Sequence, residues 1–403
     1  MGSAGSPPTW PPAPAAPALS SPSRPRSRAC SGDTPADVGF GRLGDVVTDV
    51  DIARWRLRSQ HLVGSGPTSA EGVVRSLLGV QAENPAQSAW AVAARTAAPD
   101  PSDLGAALDE GRVVRVHVLR STWHYVTAED LVWLVELTAP GAGRPAAQQL
   151  AEVYDDAELD RLSGLVVDAL AGRHLTRPQL AALLVEAGEQ VPGHELMLLM
   201  AHLELRALVC SGPVVDGAHS YVLVADRVRA PRRLDRDEGL AELALRYATG
   251  HGPVTAEDLA YWASLSLPDA RAGLTAAADG LATFEHDDRT FWHPPDQEPP
   301  TGPTEPAAHL LQILDETYRG YATASRWVLD AAGVVPRGRE SAMGMALVDG
   351  QLVAAMKRSV TARQVVFELA PYASWHDDHL VPVERAAARY GAFLAREAVV
   401  DLR

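Results

Sequence analysis

Between residues 47 and 109 the apolar positions recur mostly at helical spacing. In DVDIARWRLRSQHL, Ile52, Trp55, Leu57 and Leu62 share one stripe with arginines between them, which predicts a helix over 47–62. A second helix is expected to open at a capping box, Thr68 with Glu71 three residues on, and to bury Val73, Val74, Leu77 and Leu78. The polar turn Gln81-Ala82-Glu83-Asn84 follows. Asn84 is placed to cap a helix that Pro85 begins, and Ala89, Trp90 and Val92 form that helix's apolar face. After a Pro/Asp loop at 99–101 and a helix over 102–109, RVVRVHVLRSTWHYV is dense in β-branched and aromatic residues and reads as a two-stranded wing.

Helix, helix, turn, helix and hairpin describe a winged helix–turn–helix, and the scheme recurs. Helical runs over 157–171, 176–186 and 195–208 precede LVCSGPVVDGAHSYVLVADRV, two strands around a Gly-rich turn. Helical runs over 237–249, 255–263 and 267–277 precede short strands at 281–286 and 289–292. A Pro-rich link, 294–306, leads to strand-like runs at 341–348, 351–357 and 364–369 and a closing helix over 382–396. The expected fold is therefore α+β, with three tandem winged helix–turn–helix units over 46–145, 146–236 and 237–300. A small β-rich C-terminal region with its helix occupies 301–403.

Composition narrows the function. The chain is 46% hydrophobic and 22% charged, and no apolar run approaches the roughly 20 residues that span a bilayer, so no membrane partner is expected. Residues 1–45 are rich in Pro, Ala, Ser and Gly and lack the apolar stretch of a secretory signal; they read as a disordered tail. Cys30 and Cys210 form no C-x-x-C pair, which points to neither zinc nor a disulfide framework and fits a reducing cytoplasm. The net charge of −15 argues against indiscriminate attraction to nucleic acid. Local clusters remain: Arg227, Arg229, Arg232, Arg233 and Arg236, and the smaller group Lys357, Arg358 and Arg363. Taken singly, each is ordinarily a solvated face. A winged helix ordinarily belongs to a non-enzymatic DNA-binding protein or transcription regulator, but tandem copies are less typical of that role, and three heads in one chain suit a clamp on a single stretch of DNA better than a dimer on a palindrome.

Several stretches, in order, resemble the AlkZ/YcaQ-type winged-helix DNA glycosylases: LRSQHL, GVQAENPAQSAWAVAAR, RVVRVHVLRSTWHYVTAEDLVWL, GPVTAEDLAYWASL, LLQILDETYRGY and ALVDGQLVAAMKR. The resemblance runs from about Val47 to the end. It implies a monofunctional glycosylase, acting as a monomer without metal or cofactor on double-stranded DNA that carries bulky or cross-linked N7-alkylguanine. Some members protect antibiotic-producing bacteria from their own DNA-alkylating products. The family signature is Gln, an apolar residue, then Gln or Asp; this chain has Gln81-Ala82-Glu83, a longer carboxylate at the last position.

The chemistry asks for such residues. N7-alkylation makes guanine cationic and already a good leaving group, so the barrier that remains is the oxocarbenium-like sugar and the placement of water. Glu83 is the candidate base and Gln81 the candidate water-orienting amide; without the resemblance, both read as helix punctuation. Asn84 is expected as an N-cap beside the site. In the wing, the resemblance marks Arg120 and Thr122 for phosphate contact and His124, with His117, for site support, and Ser121 stands where the family usually has Gly. Trp123 is expected in the core. Tyr318, Tyr321 and Arg326 are expected to pack. Phosphate contacts are also expected from Arg227, Arg229, Arg232 and Arg233 after the second wing, and from Lys357 and Arg358.

Overall fold

The structure, a computed structural model, describes residues 47–299, 306–336 and 344–403. The expected tail, Cys30 and parts of the Pro-rich link and of the strand expected at 341–348 lie outside them.

Helix α1 (Asp49–Ser59) starts at Thr48, which exchanges capping hydrogen bonds with Asp51. Helix α2 (Ala70–Leu77) is capped by Ser69, whose hydroxyl accepts from the Gly72 N–H at 3.1 Å. The box expected at Thr68 is thus shifted by one residue, and Glu71 instead ion-pairs with Arg75 and Arg112. Strand β1 (Val80–Gln81) leads into α3 (Pro85–Ala93), α4 (Asp103–Asp109), and the hairpin β2 (Val113–Val118) and β3 (Thr122–Thr127). The sheet order is β1-β3-β2, all antiparallel.

Two helices that periodicity does not reveal come next, α5 (Leu131–Ala142) and α6 (Arg144–Ala151). Then α7 (Asp156–Leu170), β4 (Leu175–Thr176), α8 (Arg177–Glu186), α9 (Gly193–Glu204), β5 (Val209–Ser211) and β6 (Ser220–Leu223) repeat the first succession, with sheet order β4-β6-β5. After the short α10 (Val224–Arg227) it recurs as α11 (Arg236–His251), α12 (Ala256–Trp262), α13 (Leu267–Ala276), β7 (Ala282–His286) and β8 (Arg289–His293). Here the first strand shrinks to a single bridge, Val254 to Trp292. In all three groups the piece after the first helix pairs with the last strand of the hairpin.

The C-terminal part holds β9 (Ala308–Leu311), α14 (Glu316–Arg319), β10 (Gly344–Val348), β11 (Gln351–Val360), β12 (Gln364–Pro371), α15 (Leu380–Phe393) and β13 (Glu397–Leu402). Its five strands lie in the order β13-β12-β11-β10-β9, and only β12 and β13 run parallel, joined across α15.

Packing ties these parts together. Leu78, Val116 and Val118 of the first group share one core with Leu134 of α5 and with Tyr247 and Trp262 of the third group. Helix α1 does not complete the first group. Ile52, Ala53 and Leu57 bury against Leu347, Val348 and Leu352 of the C-terminal sheet, and each large aliphatic chain so buried contributes about 2 kcal/mol. Arg56, also on α1 and buried, donates to the Pro253 and Ser325 carbonyls, approaches Asp258 at 3.4 Å and lies over the Tyr321 ring. The amphipathic stripe was legible; its partner was not.

Candidate active site

Strand β1 ends at Gln81, and the chain bends at Glu83 and Asn84 before α3 begins. Gln81 stands opposite His124 of β3, and the Ala82 N–H donates to the Trp123 carbonyl at 2.7 Å. The Gln81 Oε1 accepts from the Glu83 N–H at 3.2 Å, and the Glu83 Oε2 accepts from the Trp123 N–H at 3.3 Å. Gln81 is buried and Glu83 half-buried, so the carboxylate is held by backbone while it retains access to solvent. Asn84 is exposed and caps α3 through the Gln87 N–H, the local role the sequence assigned it.

Behind the turn lies a carboxylate that sequence reasoning did not single out. Glu316, at the start of α14, is 1% exposed. Its Oε1 accepts from the Gln81 N–H at 3.0 Å and its Oε2 from the Trp262 indole N–H at 2.8 Å. Arg120 lies 3.5 Å from one oxygen and His251 3.5 Å from the other. Burial alone would raise the Glu316 pKa, but the Arg120 guanidinium and His251 override it and hold the carboxyl well below the usual carboxylate range. The segment after α14 fits closely: a Cβ on Gly320 would overlap the Glu316 carbonyl oxygen and come within 2.9 Å of His251.

His124 is fully buried, and desolvation together with the Arg120 charge lowers its pKa to about 3. The ring is therefore neutral. Its Nδ1 lies 2.9 Å from the Thr122 carbonyl, which only accepts, so Nδ1 carries the proton and Nε2 accepts from Arg120 at 3.3 Å. His124 thus positions Arg120, which also donates to the Trp262 carbonyl. The tight turn between β2 and β3 places Ser121 at φ +59°, a left-handed conformation that explains the family preference for Gly there.

On the other side of Glu83, Trp123 is half-buried rather than core, with the Arg115 guanidinium 3.9 Å from its ring centre. Arg115 also donates to the Ala82 carbonyl at 3.0 Å. His117 stands 4.4 Å from the Trp123 ring and bonds through Nδ1 to the buried Glu204 of α9. It therefore reaches the site only through Trp123.

The expected phosphate contacts divide. Arg227 donates to the last carbonyls of α4, Leu108 and Asp109. Arg232 binds Asp130 and Glu242, and Arg233 binds Glu136. Arg358 lies over the Tyr390 ring, half-buried. Arg229 and Lys357 are exposed. Thr122 and Arg120 are half-buried beside His124, with the Arg120 charge turned toward Glu316. Tyr318 and Tyr321 are buried, and Tyr321 donates to the His251 carbonyl. Among the described residues no cluster of three or more His, Cys, Asp or Glu has a metal-binding arrangement, and no helix is long and apolar enough to cross a membrane. Cys210 is buried, which pushes its thiol up to about 12.

Separate stretches of the sequence thus converge. Gln60 of LRSQHL donates to the Glu316 carbonyl and the Tyr321 hydroxyl, and Trp262 and Arg120 grip the Glu316 side chain that holds Gln81. Comparison with known proteins points the same way. A family model described as DNA glycosylase AlkZ-like matches residues 74–393. An interstrand DNA cross-link repair glycosylase of Streptomyces sahachiroi is 24% identical over 363 residues, covering 87% of this chain and 96% of its own length. The solved structure of S. sahachiroi DNA glycosylase AlkZ superposes with a TM-score of 0.71 at 20% identity, over 89% of this chain and 100% of that one, a likeness of fold. Because the family model spans most of the sequence, the chain belongs to the AlkZ-like DNA glycosylases.

Proposed function

We propose that the chain hydrolyses the N-glycosidic bond of bulky N7-alkylguanine in double-stranded DNA, with Glu83 as the base and Gln81 as the group that orients water. The observation that carries this reading is the pair on one turn: the Glu83 carboxylate docked on the Trp123 N–H and the Gln81 side-chain oxygen docked on the Glu83 N–H. The C1′–N9 bond breaks with its electron pair going to the base, which neutralises the N7-alkyl cation. Water then bonds to C1′ and gives its proton to Glu83, leaving an abasic sugar and free alkylguanine. A cationic leaving group needs no acid, and neutral His124 supplies none.

An interstrand cross-link through guanine N7 is two such adducts on opposite strands, so cleavage of either bond unhooks it. We extend the proposal to these substrates and to resistance against a DNA-alkylating natural product. The three recurring groups act in this reading as tandem winged helices that clamp the duplex, supported by their common order of helix, short strand, two helices and hairpin. Lyase chemistry by a lysine Schiff base would need an amine at the sugar. The single lysine of the chain, Lys357, lies on β11, in a different sheet from Gln81.

The test incubates the protein with duplexes carrying N7-alkylguanine, simple or bulky, and measures alkali-labile abasic sites. Intact DNA with both substrates would overturn the reading. Glu83→Gln is expected to lower the excision rate about 100-fold or more, the scale of a lost general base; near wild-type activity would show that an amide suffices there.

A further inference from the structure

Adjoining the Glu316 hub is a cluster of positive charge that the proposed chemistry does not use. Tyr261, one residue before Trp262, is half-buried at the end of α12. Its hydroxyl accepts from the Arg326 guanidinium at 3.0 Å, whose other nitrogens donate to the Tyr318 and Tyr321 carbonyls and to the Thr323 hydroxyl, and Arg319 of α14 adds its charge nearby. Arg120 lies 5.8 Å from its ring centre. Burial opposes ionisation of the phenol, yet Arg120, Arg326 and Arg319 together draw its pKa below the ordinary tyrosine value.

The charges do not balance. Glu316 answers Arg120, and the nearby Asp258 is engaged by Arg56 and the Ala322 N–H. Among the described residues no carboxylate lies within ion-pair distance of Arg319 or Arg326, and the Arg319 Nε is buried without a partner. Guanidinium charge answered only by neutral acceptors is unfavourable in a half-buried setting, and an anion with several acceptor oxygens would reverse that. In a chain of net charge −15 this local excess is placed against the run of the molecule. It is also coupled to the turn, because Arg120 and Trp262 hold the carboxylate that holds Gln81.

We propose that Tyr261, Arg319 and Arg326 form a phosphodiester-binding site that grips one backbone phosphate flanking the damaged nucleotide. This rests on the glycosylase reading for its location relative to the lesion, but not for its chemistry. The two arginines supply N–H donors to the non-bridging oxygens, and Tyr261, with the Tyr318 and Tyr321 carbonyls, keeps Arg326 in place when no DNA is bound. Gripping that phosphate brings the sugar next to Gln81 and Glu83 by the same contacts that rigidify the turn.

The test uses a short duplex with a tetrahydrofuran abasic analogue, which requires no bond cleavage. Binding of the full chain and of the Arg319→Gln/Arg326→Gln double variant is measured across a salt series. The variant is expected to bind about tenfold more weakly and to lose about 0.9 from the slope of log K against log salt, one phosphate's worth of counterion release. Arg319→Lys is expected to recover most of the slope that Arg319→Gln alone loses. Replacing single phosphates by neutral methylphosphonates should weaken wild type most at one position, where the double variant shows no further loss. An unchanged slope with a lowered melting temperature, or a variant that still loses affinity at every methylphosphonate position, would overturn the proposal. Should the salt slope shift while N7-alkylguanine stays intact in the excision assay, the phosphate site stands and the reaction assignment fails.

Discussion

Replacing Glu316 by Gln isolates the hub beneath the Gln81–Glu83 turn. The amide matches the carboxylate in size but carries no charge, and one of its two ends becomes a donor. Facing the Gln81 N–H at 3.0 Å and the Trp262 N–H at 2.8 Å, it cannot accept from both, so one buried donor is lost at a cost of about 1–3 kcal/mol. Arg120, 3.5 Å away, loses its counter-charge while 12% exposed, and breaking a buried pair from one side costs about 3–5 kcal/mol. Arg120 retains the Trp262 carbonyl and the edge of the site, which softens the second term. We expect a net destabilisation of about 3 kcal/mol, measured by urea unfolding with the slope unchanged. Excision should fall at least tenfold at temperatures where the variant is fully folded, because the Gln81 backbone is no longer pinned. A loss below about 0.5 kcal/mol would refute the reasoning, since such a group cannot be a charged anchor for four neighbours.

Three other outcomes follow from particular residues. Ser121→Gly, which relieves a left-handed serine at φ +59°, should stabilise the protein by about 1 kcal/mol in the same unfolding assay. Gly320→Ala should destabilise by more than about 2 kcal/mol, because its methyl group would overlap the Glu316 carbonyl oxygen, and the thermal midpoint reads this directly. His124 is lowered to about 3, and His219 and His309 to about 4, so each is neutral in the fold and takes up a proton on unfolding at mildly acid pH. Their stabilisation is complete above the unfolded value near 6.5 and is lost as pH falls toward 3–4; for His124 alone the loss is on the order of 2 kcal/mol by pH 5. His124→Gln should flatten that stability–pH curve in chemical melts between pH 7 and 5.

The local grammar of the chain carried much of the site. Asn84-Pro85 announced a helix start, and the β-branched run around His117 and His124 announced a hairpin, because caps and alternation are set by nearest neighbours. Helix α5 escaped notice because it is buried nearly all round and has no polar face to mark its period. Strands of two residues, β1 and β4, are too short to alternate. Glu316 had no local signature whatever: its ligands come from residues 81, 120, 251 and 262, and only the fold assembles them. The cluster at 227–236 shows what linear density leaves out. Linear density of arginine looked like a phosphate surface, yet Arg227, Arg232, Arg233 and Arg236 each answer a group within the protein. Arg319 and Arg326, less conspicuous in the sequence, are left with the unmatched charge.

The docking of α1 on the C-terminal sheet also sets a timetable for synthesis. Arg54 and its ion-pair partner Asp349 are 295 positions apart. At about 5–20 residues per second, a newly made α1 would wait on the order of 15–60 s before its partner strands leave the ribosome. Through that interval Ile52, Ala53 and Leu57 lack the C-terminal strands that complete their core. The groups that follow have cores of their own to close in the meantime, so the first of the described helices to be made is among the last to be fully seated, and whatever shields its apolar stripe in the cell governs the yield of finished enzyme.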